Sequence, residues 1–143
     1  MRISTKGRYS LEAMLCMALK GGDEAQSTRQ IALSTGLSEG YLEQLFIPLR
    51  RAGLIEGQRG PQGGYRLARV PARIRAGDVL RAAEGRIEPV DCVSGERLCP
   101  ISASCAPRRT WEELAAAINR CVDSVSLADL ARACEGADME YAI

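Results

Sequence analysis

SEGYLEQLFIPLRRAGLIEGQRGPQGGYRLA, residues 38–68, reads as one amphipathic helix followed at once by a basic, glycine-rich hairpin. Ser38 can cap the helix by accepting from a free backbone N–H. Leu42, Leu45, Phe46 and Leu49 recur at i, i+3, i+4 and i+7, one apolar helix face. Glu39, Gly40, Glu43 and Gln44 fall on the other side. Arg50 and Arg51 suit the negative end of the helix, and Gly53 suits its left-handed stop. Pro48 removes the N–H that would bond to Gln44, so a kink is expected there. Leu54–Arg59 and Tyr65–Ala68 have strand length, and residues 60–64, GPQGG, are turn chemistry between them.

A helix leading into a basic hairpin is the reading end of a winged helix-turn-helix. An ordinary α+β core with a solvated loop is the plainer alternative. The preceding residues favour the first. Gln26–Gln30 places Ser27 and Gln30 at capping-box spacing. A short helix carrying Ile31, Ala32 and Thr35 then meets a tight turn at Gly36-Leu37. Helix, glycine-containing turn, helix is the DNA-binding unit.

Upstream, Thr5 is positioned to cap a first helix reaching about Lys20, with Gly21-Gly22 as its stop. Leu11, Met14, Leu15 and Ala18 form its expected buried stripe, and Tyr9, Ala13 and Cys16 a weaker second one. A helix apolar on two sides touches two layers, here the core and a partner subunit. Downstream, Pro71-Ala72 is a link. Ala76–Ala83 is a short helix with Val79, Leu80 and Ala83 inward and Gly85 as its stop. Residues 89–107 keep no helical or strand period, and such long irregular segments in compact domains tend to be functional or disordered. Pro107 suits the first position of a helix. Trp111, Leu114, Ala115, Ile118, Val122 and Val125 then form a near-heptad seam, a dimerisation candidate beside the alternative of packing within its own domain. A last short helix is expected from Ser126 to about Cys134, and 135–143 as a frayed tail.

The expected fold is mainly α with a small β-hairpin. A winged helix-turn-helix domain spans 1–85, with the wing at about 54–68. A cysteine-containing loop spans 86–106, and a dimerisation helix with a short C-terminal helix spans 107–134.

Charge divides along the chain. Residues 1–75 hold 12 Lys+Arg against 6 Asp+Glu, whereas residues 76–143 hold 7 against 12. A basic half carrying a helix-turn-helix is the electrostatic footprint of DNA binding. The first residues lack a signal peptide's apolar core, and no apolar run approaches the roughly 18 residues of a membrane span, so a cytoplasmic protein with no membrane contact is expected.

The chain has six cysteines and no histidine. Lacking histidine, a nucleotide-binding glycine fingerprint and a nucleophile with an evident base, it is not expected to be an enzyme. Cys16, Cys121 and Cys134 fall inside expected helices, where a small buried apolar residue is the ordinary role. Cys92, Cys99 and Cys105 share the irregular segment, at a spacing unlike paired zinc knuckles. Three thiolates on a loop can hold an iron–sulfur cluster. Zinc, a thiol switch and inert cysteines are the alternatives.

Four segments together resemble the iron–sulfur transcription regulators typified by IscR, with NsrR, RirA and the cluster-free CymR as relatives. These are MRISTKGRYSLEAM at 1–14, SEGYLEQLF at 38–46, RGPQGGYRLAR at 59–69 and the three-cysteine loop before a long helix. The resemblance runs from Met1 to about Leu130. It implies a homodimeric winged-helix regulator of double-stranded DNA at inverted-repeat operators, with a [2Fe-2S] or [4Fe-4S] cluster near the dimer interface. Candidate DNA contacts are Ser38, Tyr41, Glu43, Gln44 and Arg50 on the helix and Arg59, Gly60 and Arg66 on the wing. Glu43 and Gln44 are expected at base edges, since Glu accepts from cytosine and Gln pairs with adenine. The resemblance places Arg59 in the minor groove. Arg66 and Arg69 suit phosphate contacts or a solvated face.

Two positions depart from the pattern. Arg108 stands where IscR-like members have a histidine, and Arg8 where NsrR-like members have an aspartate. Three candidate ligands, Cys92, Cys99 and Cys105, therefore carry over without a fourth. Glu12, one helical turn after Arg8, is the first candidate. A small thiol or water ranks close behind, and Asp91, Glu96 and Cys121 lower. A cluster-free regulator answering to thiol oxidation, a small molecule or a protein partner is the alternative function.

Overall fold

The computed structural model describes residues 2–20, 22–93, 101 and 103–141. Among these described residues, six α-helices and one antiparallel hairpin follow in the order α1 (Thr5–Leu19), α2 (Thr28–Thr35), α3 (Glu39–Arg51), β1 (Ile55–Gln58), β2 (Gly64–Leu67), α4 (Ala76–Glu84), α5 (Arg108–Asp123) and α6 (Leu127–Tyr141), with a 3-10 turn at Pro71–Arg73. The order and the hairpin are those of a winged helix.

Local capping sets most boundaries. Ser27 Oγ accepts from the Gln30 N–H (3.1 Å) while the Gln30 side chain accepts from the Ser27 N–H (2.8 Å), the reciprocal box that starts α2. Gly36, at φ +74°, ends it. Ser38 Oγ caps α3 by accepting from the Tyr41 N–H at 3.2 Å. Helix α3 continues through Pro48 to Arg51, and Gly53 turns the chain at φ +73°. The cap of α1 is Ser4 rather than Thr5, which is the first helical residue. The Glu84 carboxylate, from the end of α4, accepts from the Ser4 N–H (2.6 Å) and hydroxyl. A carboxylate at the positive end of α1 is stabilising, and it fits because residue 7 is glycine; a Cβ there would lie 2.3 Å from the Glu84 oxygen.

The core gathers under α3. Leu42, Leu45, Phe46 and Leu49 are buried against Met14 and Met17 of α1, Ile31 of α2, Ile55 and Leu67 of the hairpin, and Val79 of α4. Each such side chain contributes about 1.5–3 kcal/mol of apolar transfer. The stripe of α1 differs from expectation. Ser10, Ala13, Met14, Met17 and Ala18 are buried, whereas Leu11 and Leu15 are only half-buried and Leu19 is 45% exposed. Leu11 and Leu15 line open grooves on the outer side of α1. Of the expected glycine stop, Gly21 lies outside the described residues and Gly22 has φ +76°.

Helix α5 starts at Arg108, with Pro107 as its flanking residue instead of its first turn. It packs on α4 at Gly77, where a Cβ would lie 2.1 Å from Asp123 Oδ1. Arg81 of α4 pairs with Asp123 and donates to Asn119 Oδ1 (3.0 Å), and Asn119 Nδ2 donates to the Ile87 carbonyl at 3.0 Å. The last helix does not end near Cys134. It runs to Tyr141, so residues expected as a frayed tail are helical up to that point, and 142–143 lie outside the described residues. Ser126 and Asp129 form its capping box (Ser126 N–H to Asp129 Oδ2, 2.9 Å; Asp129 N–H to Ser126 Oγ, 3.0 Å). These bonds hold the Asp129 carboxyl below its ordinary range. Leu127 at its start is fully buried in the core, which anchors α6 beside α1.

Candidate nucleic-acid interface

The apolar face of α3 is consumed by the core, so its other face is left for a ligand. Glu39, Gly40, Glu43, Gln44 and Arg50 are exposed there, and Ile47 is 50% exposed. Tyr41 is half-buried, its ring edge-on to Tyr9 of α1 at 6.0 Å. Ser38 spends its acceptor on the cap and keeps its hydroxyl proton. Arg50 lies against the wing, its guanidinium 3.7 Å from where a Gly57 side chain would begin.

Strand pairing sets the wing. Ile55 faces Leu67, Glu56 faces Arg66, Gly57 faces Tyr65 and Gln58 faces Gly64. The tip closes through the Gly63 N–H to the Gly60 carbonyl at 2.9 Å, with Gly60 at φ +110°. Arg59 is exposed at this tip and makes no ion pair among the described residues. Arg66 is different: it pairs across the strands with Glu56 at 3.1 Å. Such an exposed pair contributes under about 1 kcal/mol, so Arg66 stays available to phosphate only at partial loss of Glu56.

Three residues that sequence reasoning passed over join the reading elements. Gln26 and Tyr65 exchange both backbone hydrogen bonds, each 2.8 Å, which adds a one-residue third strand to the hairpin. Gly64 allows this: its φ is +148°, and a Cβ would lie 2.0 Å from the Gln26 carbonyl. The Tyr65 ring packs on Phe46 at 4.6 Å. Its hydroxyl donates to Glu43 Oε2 (2.9 Å), and Thr28 Oγ1 donates to Glu43 Oε1 (2.6 Å). Burial first, then the bond to Glu43 and its charge, push the Tyr65 phenol above its ordinary value. The adjacent glycines at 63–64 were the only local sign of this close approach; nothing in the sequence pairs Tyr65 with residue 26.

Two of the three loop cysteines fall among the described residues. Cys92 and Cys105 are half-buried free thiols, and Cys99 lies outside the described residues, as does Glu96. Cys105 lies three residues before the start of α5, its carbonyl accepting from the Arg108 N–H at 3.3 Å. The Arg108 side chain turns along its own helix to Glu112 (2.9 Å). Arg8 lies over the Tyr9 ring at 5.9 Å. Glu12 is exposed and lines two grooves on the outer side of α1, shared with Leu15, Cys16, Lys20 and Thr35 on one side and with Arg8, Leu11 and Leu130 on the other. No described residue of 86–106 lines either groove. Among the described residues, no three His, Cys, Asp or Glu side chains gather as a metal site. Cys121, expected as a buried residue, is exposed, and Cys16 and Cys134 are half-buried. On α5 only Ala115 of the near-heptad seam is buried. Trp111, Ile118 and Val122 are half-buried, and Leu114 is 42% exposed.

The family model for Rrf2, described as an iron-dependent transcriptional regulator, matches residues 3–133. This chain belongs to the Rrf2 family. It is 43% identical over 141 residues to the HTH-type transcriptional regulator CymR of Bacillus subtilis, covering 99% of this chain and 97% of that one. The solved structure of CymR, described as the global cysteine regulator of B. subtilis, superposes with a TM-score of 0.76 at 44% identity, over 92% of this chain and 97% of CymR. IscR of T. potens superposes with a TM-score of 0.77 at 38% identity, over 96% and 90%. Rrf2-family relatives are transcriptional regulators rather than enzymes, and DNA binding follows from the family. No helix among the described residues is long and apolar enough to cross a membrane.

Proposed function

We propose that this chain is a homodimeric regulator that reads an inverted-repeat operator with α3 and the wing. Glu43 and Gln44 sit at base edges, Arg59 enters the minor groove, and Ser38, Tyr41, Arg50, Gly60 and Arg66 support the docking. The observation that carries the reading is the pairing of a solvent-facing α3 surface with an unpaired arginine at a glycine-rich wing tip. The seam on α5, half-buried at Trp111, Ile118 and Val122 and exposed at Leu114, supports the dimer.

The loop of Cys92, Cys99 and Cys105 supplies the sensor. Three thiolates fit iron in donor type, and Cys92 and Cys105 keep free, partly accessible sulfurs. These three would hold an iron–sulfur cluster, with Glu12 of the partner subunit or an exchangeable small ligand as the fourth donor. Such a group would supply redox and nitric-oxide sensitivity. The chain's own contribution is the tie from the loop to the body: the Ile87 carbonyl is held by Asn119, and Asn119 by Arg81 of α4.

A cluster-free thiol regulator is the second reading, favoured by the identity to CymR over nearly the whole chain. Iron and sulfide content with visible absorbance of anaerobically purified protein separates the two. We expect a brown protein that loses its colour in Cys92→Ala, Cys105→Ala and Cys99→Ala, with a shortened cluster lifetime in Glu12→Ala. Colourless protein, after anaerobic reconstitution as well, would select the thiol reading.

A further inference from the structure

The Glu43 carboxylate is exposed, yet both its oxygens are already engaged, one by Thr28 of α2 and one by Tyr65 of the wing. A glutamate free on a helix surface samples several rotamers. Two hydroxyl donors from different elements leave it one. An ionised carboxylate has about four lone-pair sites, so two remain to face a ligand. They face it from a fixed place. That matters because an anion beside DNA is repelled by phosphate unless a base donor, such as the cytosine amino group, meets it. An untethered Glu43 could swing into water and escape the penalty at a wrong base pair.

We propose that Tyr65 and Thr28 are specificity-determining residues that hold Glu43 in its base-reading pose. The inference rests on the reading of Glu43 as a base contact. Tyr65 suits the task because its ring is packed on Phe46 and its backbone is bonded on both sides to Gln26. The hydroxyl is therefore carried by a fixed ring. The phenol is a protonated donor across the physiological range, and burial with the Glu43 bond pushes its pKa further up. Thr28 sits in the first turn of α2, beside the Ser27–Gln30 box that fixes that turn. The tether discriminates against wrong sites more than it attracts the right one.

The test begins by selecting binding duplexes from a random pool with wild-type protein, then changing each base pair of the selected site in turn. Tyr65→Phe keeps the ring and the backbone bonds and removes one oxygen. We expect its affinity for the selected site to change less than twofold. Its discrimination at the Glu43-dependent base pair should fall by about threefold to tenfold, the net worth of one ordinary solvent-exposed hydrogen bond. Thr28→Val should act in the same direction. In Glu43→Ala discrimination should vanish, and adding Tyr65→Phe should change nothing more, which separates positioning from a general loss of fold. Retained discrimination in Glu43→Ala would sink the base-contact reading. Lost discrimination in Glu43→Ala with full discrimination in Tyr65→Phe would overturn the tether and leave the base contact standing. Equal loss of affinity on every duplex in Tyr65→Phe, at unchanged thermal stability, would also overturn it.

Discussion

Gly64 carries a constraint that Gly60, at the wing tip, does not. Its backbone is left-handed and its Cα faces the Gln26 carbonyl at a distance that excludes any side chain. Gly60 is also left-handed, but nothing lies within 4 Å of its would-be Cβ. The two glycines separate backbone strain from steric collision. Gly60→Ala should cost on the order of 1 kcal/mol of unfolding free energy, the strain alone. Gly64→Ala should cost at least about 2–3 kcal/mol more, because the Gln26–Tyr65 bridge must open as well. Urea titrations of the two variants check the difference; equal costs would mean that the bridge contributes nothing. At this scale the caps of α2 and α3 were legible, since each is satisfied within a few residues. Glu43 was legible as an exposed carboxylate. Its two partners were not, because they lie 15 and 22 residues away in the chain and hydroxyls carry no periodic signal.

Helix α1 shows where periodicity misleads. Leu11 and Leu15 belong to the expected stripe, yet Ala13, Met14 and Met17 take the core and the leucines line open grooves. Periodicity finds apolar faces and does not rank them; packing against α3 and α4 does. The cap moved from Thr5 to Ser4 for a related reason, because Glu84 arrives from α4, which no local pattern records. Helix α6 runs past Cys134 to Tyr141, and its start is tied at Leu127, whose N–H donates to the Ile74 carbonyl far off in the sequence. Helix α5 remained readable because its seam is a simple repeat, and apart from Ala115 that repeat is only half-buried or exposed once the chain has folded. Ile118→Glu should therefore leave the chain folded by circular dichroism while shifting it from dimer to monomer in sedimentation. A folded dimer in that variant would move the interface away from α5. The cysteine loop had no period to read, and one of its three thiols, Cys99, lies outside the described residues.

Across the whole molecule the charge division acquires a geometry. The basic half holds α1 to the wing, and the acidic half holds α4 to α6, with the seam on the latter. In the proposed dimer the acidic halves meet and two basic reading ends are presented together. Their two-fold relation requires an inverted repeat, with half-sites one helical turn or a multiple apart. Footprints should show two symmetric protected blocks, and salt should weaken binding steeply. Protection of a single half-site by monomer would contradict this arrangement.

The stitch between Gln26 and Tyr65 has a further consequence. It joins the segment before α2 to the wing, while Glu43 joins α2, α3 and the wing by side chains. No hinge is left between helix and wing, so each reading end is a single stiff tool. In the proposed dimer, a signal from the cysteine loop then has little to bend within it; it would act on the angle and separation between two such tools, as the jaws of a caliper are set. Operators for such a device are distinguished by phase. One base pair inserted between half-sites turns one jaw by roughly 35° about the DNA axis, and the two states of the regulator would prefer different spacers between the same half-sites.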